Sequence, residues 1–261
     1  MLTSLNENLV QLDLTRAEVV WLLRLLNLPP LPSVGTMLTF AQPANETQAG
    51  ALLNAMQSLQ IRRIAVAKGE TIEIDPIVAG MLSACGNAHR VIRIGRIAPP
   101  ETSVYHIFVA EKLYVLMEQP LPFTNSFYGS TDRNEIAALL GERLKIPPSE
   151  ALPIPEQNID GEEVENVRTA LRKGGQEALE ALTAAGWEIP IANTFTGALA
   201  RPRAYIACAV FDGVTPEPKR LNAVELLVSE RGVVYMQGNA PLAIGSIDGS
   251  AAVGAILGMA S

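Results

Sequence analysis

The stretch "LYVLMEQPLP", Leu113–Pro122, is answered much later by "VVYMQGNAPL", Val233–Leu242. Each is a short run of strand-forming residues closed by turn formers, and Leu116, Met117 and Glu118 fall over Tyr235, Met236 and Gln237. Working outward, "MLSACGNAHRVIRIG" lies over "FTGALARPRAYIACA" without a gap, which pairs Met81 with Phe195, Val91 with Tyr205 and Ile92 with Ile206. "APPETSVYHIFVAEKLYVLMEQ" matches "GVTPEPKRLNAVELLVSERGVVYMQ" once the first loop is lengthened, and "STDRNEIAALLGERL" meets "SIDGSAAVGAILGMA" with a one-residue insertion. Two amphipathic meanders can look alike by chance, but chance rarely preserves the order of elements. The sequence therefore predicts an α+β fold of two similar lobes related by a pseudo-two-fold axis. Each lobe holds paired helices, a short helix, a three-stranded antiparallel meander and a closing helix. The predicted boundaries are an N-terminal lobe at 1–145, a Pro-rich linker at 146–160 and a C-terminal lobe at 161–261, the two lobes forming one compact unit.

Local signals support these elements. Thr15 and Glu18 have capping-box spacing at the head of "LTRAEVVWLLRLLNLPPLP", and the prolines from Pro29 stop that helix. "TMLTF" reads as a strand, and a helix from Gln48 to Leu59 places Leu52, Leu53, Met56 and Leu59 on one side. Short strands flank a turn at Lys68–Gly69, Pro76 opens a short helix, and Asp132 and Glu135 repeat the capping-box spacing. "PLPFTNSFYG" reads as a loop before the closing helix. Gly174–Gly175 divides the helical stretch after the linker, and Gly254 and Gly258, one turn apart, suit close packing of the last helix.

Composition removes several classes of function. A net charge of −7 disfavours binding to phosphate backbones, so no nucleic acid is expected as a partner. No apolar run approaches the ~20 residues that span a bilayer, so no membrane insertion is expected. The opening "MLTSLNENLVQLD" lacks a basic region followed by an apolar core, and a cytoplasmic location is expected. Cys85 and Cys208 are expected as reduced, buried thiols.

Few residues carry the marks of a chemical site. His89 and His106 are the only histidines, with no H-E-x-x-H or Cys/His cluster beside them, so no metal or other cofactor is expected. There is no phosphate loop, no dinucleotide fingerprint and no nucleophile elbow. Cys85 and His89 stand four apart, but apolar surroundings raise a thiol's pKa. Glu162, Glu163 and Glu165 read as a solvated helix start. No catalytic residue is assigned.

The order of elements resembles the EspG family, cytosolic chaperones of type VII (ESX) secretion. "LDLTRAEVVWLLRLLNLPPLP" resembles that family's opening helix and proline-rich exit, "ALLNAMQSLQIRR" its next helix, and "IEIDPIVAGMLSACGNAHRVIRI" the short helix leading into the sheet. "VELLVSERGVVYMQGNAPLAIGSIDGSAAVGAILGMA" resembles its last strands and closing helix. The resemblance implies a pseudo-two-fold α+β core and a non-catalytic chaperone or adaptor that holds a helical, PE–PPE-like secreted client in the cytosol. The client would dock on the sheet and its turns. The loop carrying Pro99, Pro100 and Glu101, the equivalent loop carrying Pro216, Pro218, Lys219 and Arg220, and the aromatic anchors Phe123, Phe127 and Tyr128 are the candidate contacts. The chain itself is expected as a monomer or homodimer. The alternatives are an enzyme or small-ligand-binding protein with an inter-lobe pocket, and a homo-oligomerising scaffold.

Overall fold

The computed structural model describes every residue except 1, 33–45, 122, 160–162, 174, 200–201, 216, 239–240 and 261. In chain order the first half holds β1 (Leu2–Ser4), β2 (Leu9–Thr15), α1 (Arg16–Leu25), α2 (Glu46–Ile61), β3 (Ala65–Lys68), β4 (Thr71–Ile74), α3 (Pro76–Gly86), β5 (Arg90–Ala98), β6 (Glu101–Val109), β7 (Tyr114–Leu121), β8 (Thr124–Ser130) and α4 (Arg133–Leu144). The second half holds β9 (Gln157–Ile159), α5 (Glu163–Lys173), α6 (Gly175–Ala184), α7 (Ile189–Leu199), β10 (Ala204–Phe211), β11 (Arg220–Val228), β12 (Val233–Gln237), β13 (Leu242–Ile247) and α8 (Gly249–Gly258). The architecture is α+β, antiparallel meanders flanked by helices.

The strand order is β2-β8-β7-β6-β5 in the first half and β9-β13-β12-β11-β10 in the second. In each half, the strand that leads into the paired helices lies beside the last strand of the meander. β1, which extends the first set, and the β3–β4 hairpin have no counterpart among the described residues of the second half.

Each meander has four strands rather than the three expected. "PLPFTNSFYG" is not a loop, because β8 is hydrogen-bonded on both sides: Phe127 lies opposite Leu12 of β2 and Met117 of β7. Its Asn, Ser and Gly residues imitate a turn locally, but two flanking ladders satisfy the backbone better. Likewise β13 pairs Gly245 with Tyr235, and a Cβ there would lie 2.7 Å from the Tyr235 hydroxyl. The stretch "TMLTF" falls outside the described residues.

The chain packs as two compact units, each discontinuous in sequence. One comprises Met1–Arg93, Val104–Leu139 and Phe211–Arg220; the other comprises Ile94–Ser103, Leu140–Val210 and Leu221–Ser261.

In the first unit, Leu12 and Leu14 of β2, Phe108 of β6, Val115 and Met117 of β7 and Phe127 of β8 belong to one core. Against them pack Val19, Leu22 and Leu23 of α1, Leu59 of α2 and Val78, Met81 and Leu82 of α3. The expected stripe on α2 is only partly covered: Leu59 is buried, but Leu53 faces solvent and Ala55 points inward instead. Asp75 caps α3 ahead of Pro76, and Gly69 turns between β3 and β4 with φ +62°.

One carboxylate ties the helices of this unit to its sheet. Thr15 Oγ1 accepts from the Glu18 amide, and Glu18 Oε2 accepts in return from the Thr15 amide, completing the capping box. Glu18 is only 1% exposed. It also accepts from Ser58 Oγ at 2.8 Å and from Arg62 Nη1 at 2.9 and 3.0 Å, while Arg62 Nη2 donates to the Asp13 carbonyl at 2.6 Å. So α1, α2 and β2 meet at one satisfied ion pair.

In the second unit, Val164, Val167 and Leu171 of α5, Ala178 and Leu182 of α6 and Phe195 of α7 cover Leu227, Val234, Met236, Leu242 and Ile244 of the strands. Trp187 packs edge-on to Phe195 at 5.2 Å. Within the proline-rich stretch 146–160, Ile154 is buried in this core and β9 pairs with β13. Arg168 of α5 donates to Glu225 of β11 at 2.8 Å, again joining a helix of the pair to a strand through a half-shielded ion pair.

The last helix departs from expectation. Gly254 has open space around it, so close packing does not account for it. The tight position is Gly249, where a Cβ would overlap the Pro147 carbonyl oxygen, while the Gly249 amide donates to the Ser149 carbonyl at 2.8 Å. Asp248 caps α8, and its hydrogen bonds from Ser250 and Ala251 hold its carboxyl below the usual carboxylate range. Asp132 likewise caps α4 at the Asn134 amide, but Glu135 accepts from the Asn6 side chain rather than reaching back to the cap.

Two outcomes follow for stability. Glu18→Ala removes one partner of a buried ion pair and should cost about 3–5 kcal/mol, read as a lowered urea midpoint. Gly249→Ala should destabilise by about 1–3 kcal/mol, because the helix start must move away from the 147–149 backbone.

Candidate functional site

The two hairpin loops singled out in the sequence differ in how they are held. At the first, β5 ends at Ala98, and Pro99 and Pro100, joined by a cis peptide bond, are exposed. Glu101 is exposed too, but its carboxylate accepts from Lys145 Nζ at 3.1 Å and lies 3.5 Å from Arg96 Nη1. The hydrogen bond and charge of Lys145, with a smaller contribution from Arg96, keep the Glu101 carboxyl below its ordinary value. Arg96 turns inward, and its Nε donates to the Leu144 carbonyl at the end of α4. This tip is therefore pinned and its charges are compensated.

The second loop is closed by Asp212. Its Oδ1 accepts from the Lys219 amide at 2.8 Å, and its own amide donates to the Lys219 carbonyl at 3.1 Å. Gly213, at φ +92°, approaches so closely that a Cβ would lie 3.0 Å from the Ala88 carbonyl oxygen, and Val214 packs on the first unit's core. Pro218, Lys219 and Arg220 remain exposed. Among the described residues neither Lys219 nor Arg220 has an ion-pair partner. Pro216 falls outside the described residues.

The three aromatic candidates separate. Phe127 is 0% exposed and belongs to the core, and Tyr128 is 5% exposed with its hydroxyl donating to Glu118 Oε1 at 2.9 Å. Neither is a surface anchor, because the segment expected as a loop is strand β8. Phe123 is 62% exposed at the β7–β8 turn. Its backbone is left-handed, φ +69°, and its carbonyl accepts from the Arg16 amide at 2.8 Å. The Arg16 guanidinium stands 5.8 Å from the ring centroid. Sequence reading missed Arg16, which lies more than a hundred positions away in the chain.

The groups that could carry chemistry are not gathered. Cys85 and Cys208 are buried, which pushes both thiols up, that of Cys208 to about 12. His89 is exposed beyond the end of α3, so the four-residue spacing from Cys85 joins a buried thiol to a solvated imidazole. His106 is buried beside Phe108, with Nε2 unpartnered among the described residues. The crevice it shares with Met117 and Gln119 measures only about 10 Å³. Burial, and secondarily the charge of Arg93, lowers its pKa to about 4. Among the described residues no group of three or more His, Cys, Asp or Glu side chains is placed to hold a metal ion. No described helix is long and apolar enough to cross a membrane.

A larger cleft, about 350 Å³, lies in the second unit between the strands and α8, lined by Val224, Leu226, Tyr235, Gln237, Ile256 and Met259 among others. Tyr235 donates to Glu156, and burial followed by that bond raises its hydroxyl to about 12. The cleft is mainly apolar and has no paired acid and base.

Neither a protein-family model nor a curated protein matches the sequence. Among solved structures, the chain is similar to the Mycobacterium tuberculosis type VII secretion system chaperone EspG5, solved in complex with a PE25–PPE41 dimer. The TM-score is 0.66 at 14% identity, over 96% of this chain and 97% of that one. The fold is EspG-like. At this identity the likeness concerns the path of the backbone from end to end, and not the residues on its surface.

His106 supplies a pH test. The folded state disfavours the imidazolium, so between the ordinary value of 6.5 and about 4 the unfolded chain binds more protons. Stability should fall as pH drops through that window, by about 3 kcal/mol from this group. His106→Leu should flatten that part of a pH series of urea midpoints.

Proposed function

We propose that this chain is a non-catalytic protein-binding module, an EspG-like chaperone or adaptor that holds a helical secreted client of the PE–PPE kind in the cytosol. The observation that carries this reading is the match in fold along nearly the whole length of both chains. A pseudo-two-fold relation between the halves is part of the reading, and the equal strand order of the two meanders supports it. Burial of both thiols and of His106 supports a binding role over catalysis.

The proposed contacts are the 98–103 and 213–220 loops together with Phe123. The loops offer exposed proline-bearing turns with little entropy left to lose on docking. They are not equivalent. Glu101 is neutralised by its neighbours, whereas Lys219 and Arg220 are exposed cations with no ion-pair partner among the described residues. An acidic client surface would therefore favour the second loop, which steers encounter and fixes orientation.

The test is capture by the tagged full-length chain in its native cell, identification of what co-purifies, and reconstitution from purified components. A stoichiometric complex with a helical secreted protein is expected, and failure to form any such complex overturns the reading. With the client in hand, replacing each loop by a short Gly–Ser turn should preserve the folded state, since surface connections tolerate it. At least one replacement should weaken capture about tenfold or more, on the scale of a hot-spot loss. Undiminished capture by both folded variants removes the loops from the interface.

A further inference from the structure

Phe123 is an unusual occupant of its position. A bulky side chain at φ +69° costs about 1–2 kcal/mol relative to ordinary backbone, and glycine or asparagine would take the site with less strain. Phe123 is also 62% exposed, and Leu121, the last residue of β7, is 63% exposed. Neither residue serves the core of the first unit.

The cation above the ring is equally out of place. Arg16 opens α1, and its backbone amide is fixed on the Phe123 carbonyl, so ring and guanidinium are held together. Among the described residues Arg16 has no carboxylate partner, although acidic residues outnumber basic ones 27 to 20 in this chain. Its Nε is shut off from solvent and meets no acceptor among the described residues. Glu18, two residues on, cannot serve it, because both of its oxygens are taken by Thr15, Ser58 and Arg62. The positive end of the α1 dipole adds to the same field.

We infer that Arg16, Leu121 and Phe123 form one docking corner, and that its occupant is a client segment offering an apolar side chain with a carboxylate within one helical turn of it. The apolar group covers Leu121 and the open face of Phe123, and the carboxylate completes Arg16. Aromatic residues and arginine are the side chains most often found to dominate binding energy, and a ring already fixed by backbone and cation loses little freedom on docking. A single cation does not suit a phosphate backbone or a lipid surface, both of which need several. This inference rests on the protein-binding reading above and specifies the chemistry of that client.

The test uses the full chain and the purified client returned by the capture experiment, titrated calorimetrically at low and high salt. Phe123→Asn should weaken binding about tenfold or more, while its melting temperature stays level or rises because the left-handed backbone is relieved. Arg16→Glu should weaken binding by a similar factor, and changing the matching client carboxylate to lysine should restore it. Arg16→Gln should reduce the salt dependence of binding. Benzoylphenylalanine at position 123 should cross-link to a client residue within one turn of an Asp or Glu. If the wild-type chain holds no helical client, this inference and the protein-binding reading fall together. If it holds one and both Phe123→Asn and Arg16→Glu bind it as tightly as wild type, only the corner is overturned.

Discussion

The Glu18 carboxylate is the constraint on which the first unit depends. It closes the N-terminus of α1, accepts from α2 through Ser58 and Arg62, and through Arg62 reaches the β2 carbonyl of Asp13. A carboxylate this deeply buried is tolerable only because every bond it needs is made. Once it is in place, the direction in which β2 hands over to α1 and the packing of α1 on α2 are no longer independent. The turn at Phe123 inherits that fixity, since the first residue of α1 hydrogen-bonds its carbonyl. In the second unit an ion pair between Arg168 of α5 and Glu225 of β11 joins the helix pair to the sheet directly.

The exposed features make sense against this rigidity. The main core of each unit lies between its strands and a set of helices, and the hairpin turns stand exposed beside it. The first hairpin loop spends its charge on Arg96, Lys145 and the end of α4. The second anchors its base through Asp212 and Gly213 and leaves its cations in solvent. Phe123 is strained and exposed, and the Arg16 guanidinium beside it has no carboxylate partner among the described residues. Local conflict of this kind is the physical ground for the docking corner we infer there.

Much of the fold could be read locally. The Thr15–Glu18 box and Asp75 with Pro76 depend on residues within four positions of one another, and each marks an element boundary in the structure, as does Gly175 at the start of α6. What misled was also local. "TNSFYG" has the composition of a turn, and it was rescued as a strand by pairing with β2, far away in sequence, as well as with β7. Leu53 had the periodicity of a core residue but was left outside, because the neighbouring surface covers only part of the α2 stripe.

The candidate site shows the same division. Sequence alone determined most of the helices, three strands of each meander and the presence of two proline-bearing loops, because propensity, capping and alternation act over a few residues. It singled out Phe123, Phe127 and Tyr128 equally, since three aromatics in one short segment carry no mark of which faces inward. Only the tertiary structure decided that Phe127 fills the core, that Tyr128 bonds Glu118, and that Phe123 is held outward. Only the tertiary structure brought Arg16 over that ring and gave Glu18 to Arg62. These pairings span long chain separations, and their energy appears only when strand register and helix packing have removed the water between the partners.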